Sequence, residues 1–110
     1  MNIEATIISN LLHNEEYARK VIVFLKDEYF MDATEKVVFS EIQKFWIKYN
    51  NVPSKEALQI AIEEKDDISS TIYEESQALI KGLGETDSNK EWLLDETEKF
   101  CKDKAVYNAI

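Results

Sequence analysis

Cysteine, proline, glycine and histidine are scarce in this chain, and each scarcity excludes something. The 110 residues hold one cysteine, Cys101, so no intrachain disulfide and no zinc finger can form. One proline and two glycines are too few for the many tight turns of an all-β fold. His13 is the only histidine, and no Glu-x-x-His pair occurs. Phosphate-binding loops of the G-x-x-x-x-G-K-[ST] kind are absent, and Gly82-Leu83-Gly84 is too short for a dinucleotide fingerprint. No apolar run approaches a membrane span, and the first residues carry Glu4 rather than the basic stretch of a secretion signal. A soluble, reducing compartment is therefore expected.

What is present is the composition of a folded domain: 45% hydrophobic, 11% aromatic and 32% charged residues. A single domain is the expectation at this length, burying roughly two thirds of the surface of its unfolded chain. The formal charge is −9, and it is uneven, with −1 over residues 1–55 and −8 over residues 56–110. Such a field disfavours nucleic acid and anionic membranes, and it steers a basic partner toward the second half.

Apolar spacing predicts helices nearly throughout. Ile3, Ile7, Ile8, Leu11 and Leu12 lie on one helical face. Asn14 is placed to cap a second helix with the stripe Tyr17, Ala18, Val21, Phe24 and Leu25. Asp32 and Glu35 resemble a capping box opening the strongest helix, with Val38, Ile42, Phe45 and Tyr49 in one row and Phe39 and Trp46 beside it. Asn50-Asn51 and Pro53 end it. Ser54 caps a short fourth helix bearing Ala57, Leu58, Ala61 and Ile62. A fifth helix starts at Ser70 or Thr71 and carries Ile72, Ser76, Leu79 and Leu83, with Tyr73 and Ile80 alongside. Gly82 and Gly84 are candidates for its left-handed cap. Ser88 and Glu91 form an S-x-x-E box that opens a sixth helix with Trp92, Leu93, Leu94, Thr97, Phe100, Cys101 and Ala105. The short link around Gly84–Ser88 makes the last two helices antiparallel neighbours. Residues 105–110 read as a helix still running, so either the last turn frays or the natural chain continues.

The expected architecture is all-α, a head of about four helices over residues 1–65 followed by a protruding antiparallel hairpin over residues 69–110. Two helices share one seam, yet each hairpin helix shows more than one apolar row. The surplus must face the head or another chain. Ile72, Tyr73, Leu79, Ile80, Leu83, Trp92, Leu93 and Phe100 are the residues expected to pack and self-associate.

Chemistry-bearing residues point away from catalysis. His13 stands at a helix end, where an imidazolium complements the dipole. Cys101 lies on or beside an apolar stripe and reads as a small buried hydrophobe. The acidic pairs Glu15-Glu16, Glu63-Glu64, Asp66-Asp67 and Glu74-Glu75 lack the alternation of a calcium loop and read as solvated faces. Trp46 and Trp92 lack interleaved arginines, Arg19 being the only one, so core or interface packing is expected over base stacking.

Several stretches together resemble the N-terminal domain of DnaB-type replicative helicases, in particular the branch of T-even-like phages. Glu4-Ala5-Thr6-Ile7-Ile8-Ser9-Asn10-Leu11-Leu12 resembles that family's E-x-x-h-h-x-x-L-L first helix, where h is aliphatic. Phe30 ahead of Val37-Val38-Phe39 and Ile42 resembles its third helix, although Glu35 stands where the family often has His. Val52-Pro53-Ser54 with Ala57-Leu58, and Trp92-Leu93 with Glu96-Thr97-Glu98-Lys99, resemble the phage branch. The resemblance covers the whole chain in register.

The resemblance implies a non-catalytic collar domain, residues 1–110, of a hexameric helicase whose motor domain is absent here. It implies partners: a second copy of the chain in a dimer or ring, and primase. Single-stranded DNA would be met only through the parent helicase, and no membrane is implied. No cofactor is expected in this fragment; ATP and magnesium would belong to the motor. The implied location is the cytoplasm of an infected bacterial host. The competing expectation is a stand-alone acidic helical regulator or DNA mimic that blocks a basic protein site, which would need carboxylates in two spaced rows.

Overall fold

The computed structural model describes residues 2–85 and 89–109. Among them are six α-helices, two 3₁₀ turns and no strand. Helix α1 (Ile3–His13) starts at Asn2, whose Oδ1 accepts the Ala5 N–H at 2.8 Å. Asn14 closes α1 and opens α2 (Glu15–Val21): its own N–H donates to the Asn10 carbonyl while its Oδ1 accepts from Tyr17 N–H. One residue thus sets the corner between two helices.

The expected second stripe does not continue. A 3₁₀ turn, Ile22–Phe24, follows α2 directly. Val21, Ile22 and Val23 are β-branched and lose rotamer freedom against a preceding helical turn, and three residues per turn replace 3.6. The tighter winding keeps Ile22 and Leu25 in the core and rotates Val23 and Phe24 outward, 72% and 65% exposed. The assignment of Phe24 to the core stripe is corrected accordingly.

A second 3₁₀ turn, Asp27–Tyr29, leads to α3 (Ala33–Tyr49). Asp32 caps α3 by accepting from the N–H groups of Thr34 and Glu35. Asn50 ends it in the left-handed conformation at φ 55°, which asparagine tolerates better than most residues. Ser54 caps α4 (Lys55–Glu63), as expected. Helix α5 (Ser70–Gly82) is capped by Ser69, one residue before the expected site. It stops on an extended Leu83, and neither Gly82 nor Gly84 takes a positive φ. Helix α6 (Lys90–Ala109) begins at Asn89, whose Oδ1 accepts from Trp92 N–H. Ser88, expected as that cap, lies outside the described residues.

Helix α3 is the hub. It packs against α1, α4, α5 and the Asp27–Tyr29 turn, while α6 packs against α1, α2 and that same turn. Phe30 stacks on Phe39 at 4.8 Å between centroids and meets Phe100 at 5.5 Å, joining α3 to α6 through one aromatic cluster. The expected hairpin is not confirmed. α5 lies on the α3–α4 side and α6 on the α1–α2 side, with no extensive seam of their own among the described residues. The body measures 35 × 32 × 28 Å.

Candidate protein-interaction surface

The eight residues expected at an interface divide sharply. Ile80, Leu83, Leu93 and Phe100 are buried in this chain's own core. Tyr73 and Leu79 pack partly buried against it, and Ile72 is half-buried. Trp92 alone is largely open, at 48% exposure. The surplus rows of α5 and α6 therefore spend most of their apolar surface on the head.

Exposed apolar surface lies elsewhere. Lys20, Val21 and Phe24 on one side, and Leu94, Thr97, Glu98, Cys101 and Lys102 of α6 on the other, line a groove of about 450 Å³. The floor is anchored by a buried link: Thr97 Oγ1 donates to the Leu93 carbonyl at 2.7 Å, so the Tyr17 hydroxyl donates to Thr97 Oγ1, also at 2.7 Å. Burial raises the Tyr17 phenol well above its ordinary range, and burial likewise raises the Cys101 thiol. A half-buried, protonated thiol is a poor nucleophile. At the rim, Glu16 bonds Lys90 and Lys20, and Glu98 bonds Lys102. These lysines hold both carboxyls below their usual range, Lys90 acting first on Glu16.

Two further features were not legible in advance. Arg19 lies 5.3 Å above the Trp46 ring and pairs with Glu15 at 2.9 Å, so the single arginine does meet a tryptophan. On the opposite side, α4 and α5 enclose a shallow groove of about 470 Å³ lined by Gln59, Glu63, Tyr73, Glu74, Gln77, Ala78 and Lys81. The Gln77 amide donates to the Gln59 carbonyl across it. Ile60, 53% exposed, stands between exposed Glu56, Glu63 and Glu64 on α4. None of these three, nor Glu74, is in an ion pair among the described residues.

His13 closes α1 with Nε2 3.2 Å from the Leu83 carbonyl, tying α1 to the end of α5. Among the described residues, no group of three His, Cys, Asp or Glu is placed to hold a metal ion. No described helix is long and apolar enough to cross a membrane.

No protein-family profile matches the chain. A curated relative does: the DnaB-like replicative helicase of Enterobacteria phage T4, 33% identical over 103 residues. This chain is a relative of a DnaB-like replicative helicase. The match takes in 94% of the chain and 22% of that helicase, so the chain spans about a fifth of the length of the protein it matches. The resemblance seen in its motifs thus extends over nearly all of the chain.

Proposed function

We propose that this chain is the N-terminal collar domain of a DnaB-like replicative helicase, which assembles subunits and docks primase without chemistry of its own. The near full-length relationship to one fifth of such a helicase carries this reading. ATP and magnesium would serve a separate motor domain, and single-stranded DNA would be met through that motor. A helicase of a phage works in the cytoplasm of its infected host. Against the DNA-mimic alternative, four carboxylates, Glu15, Glu16, Glu41 and Glu98, pair with neighbouring cations.

The primase docks, in this reading, on the α4–α5 side, where unpaired Glu56, Glu63, Glu64 and Glu74 surround Ile60. A basic segment gains there from steering and from one apolar anchor. The test is a titration of the chain with the primase encoded by the same genome, at rising salt, beside sedimentation of the chain alone. Expected are self-association and a primase complex that weakens with salt and with Ile60→Glu. A chain that binds no primase and remains monomeric at high concentration refutes the collar reading.

A further inference from the structure

The groove between α2 and α6 is the least explained feature of this surface. Phe24 lines it and Val23 precedes it, two large apolar side chains held mostly in water by a 3₁₀ turn. Nothing among the described residues covers them. Exposing both at adjacent positions, beside an apolar groove of about 450 Å³, leaves a knob next to a hole.

Charge selects the occupant. The chain as a whole carries −9, so two copies repel across most of their surfaces. This face is the exception. Lys20 and Lys102 line it with Glu98, one more positive than negative charge, and Glu16 and Lys90 pair beside Lys20. All five sit in exposed side-chain pairs that can exchange partners at little cost. A face with both signs and a knob beside its groove can meet a copy of itself about a two-fold axis, with Phe24 toward the partner's groove and Lys102 toward its carboxylates.

Resting on the assembly reading above, we infer that the α2–α6 groove with Phe24 is the face by which a second copy of this chain binds, in reciprocal knob-in-groove fashion. The face is distinct from the α5 rows, which the head already covers.

Sedimentation velocity across the micromolar range, on the full 110-residue chain, tests it. Phe24→Glu is expected to raise the dimer dissociation constant about thirtyfold or more, as for a central aromatic anchor. Ile47→Glu, equally a charge placed on an exposed apolar site but on α3, is expected to leave it unchanged. Cys101 supplies a second readout, because it lines the groove half-buried. Thiol labelling should slow as the wild-type concentration rises, and should not slow for Phe24→Glu. Circular dichroism checks that the variant folds, and Val23→Glu replaces it if it does not. Association of wild type that survives both charge substitutions overturns the assigned face while leaving assembly intact. Equal loss with Ile47→Glu does the same. A wild type that never associates overturns the assembly reading together with this one.

Discussion

Replacing Glu35 by glutamine should make this protein more stable at pH 8 and hardly change it at pH 5. Glu35 lies in the first turn of α3, 7% exposed, and its Oε1 has no hydrogen-bond partner. Its backbone N–H is engaged by Asp32, but the reciprocal half of a capping box is missing, because the side chain turns inward. The charges that act on it are of one sign: Glu4 comes from α1 and Asp32 from the cap. Burial first, then Glu4 and Asp32, push the Glu35 carboxyl from 4.5 up to about 7.

The folded chain therefore keeps a proton that the unfolded chain releases. Below about pH 4.5 both states are protonated and the group carries no penalty. From there to about pH 7 stability falls as pH rises, and above that the loss is complete. At about 1.4 kcal/mol per pH unit the loss amounts to about 3 kcal/mol. Glutamine keeps the volume and stays neutral. Urea unfolding followed by circular dichroism, at pH 5 and pH 8, should show wild type losing about 2–3 kcal/mol more than Glu35→Gln. Parallel stability curves for the two proteins would refute the reasoning, since they would mean that the carboxyl is solvated when ionised.

Three further outcomes follow from the packing. Thr97→Val should cost about 1–3 kcal/mol because it strands the buried Tyr17 hydroxyl, whereas Tyr17→Phe should cost about 1 kcal/mol because Thr97 keeps its bond to Leu93; thermal melts of both singles and the double decide it, the double costing less than the sum. Asn14→Ala should cost about 1 kcal/mol by removing the α2 cap, with hydrogen exchange rising first at the N–H of Tyr17. Asn50→Val should cost about 1–2 kcal/mol in chemical unfolding and Asn50→Gly close to nothing, because only the left-handed backbone at φ 55° separates them.

Much of the fold was legible because helix caps are local. Asn14, Asp32, Asn50 and Ser54 act where the spacing places them. A capping side chain reaches two or three residues along its own chain, so sequence alone states the contact. The α5 and α6 starts were harder, because Ser69, Ser70 and Thr71, or Ser88 and Asn89, offer several cap types in a row. Ser69 and Asn89 take the role, and only the tertiary position of the first turn chooses among such neighbours.

The candidate surface was illegible for a related reason. Periodicity says that a helix has an apolar row; it does not say what the row faces. The surplus rows of α5 and α6 read as a surface, yet α3 and the Phe30–Phe39–Phe100 cluster absorb Ile80, Leu83, Leu93 and Phe100. Phe24 failed in the opposite direction. An α-helix continued through residue 24 would have carried it inward beside Leu25, and the β-branched run before it is the one local sign that the winding tightens. Glu35 shows the same limit for charge. Its cap position predicts a carboxylate reaching back to the chain, whereas packing of α1 against α3 turns it into a buried acid beside Glu4. Where a contact spans a few residues the sequence states it. Where it spans helices, only the assembled core decides which side of a row is paid in water.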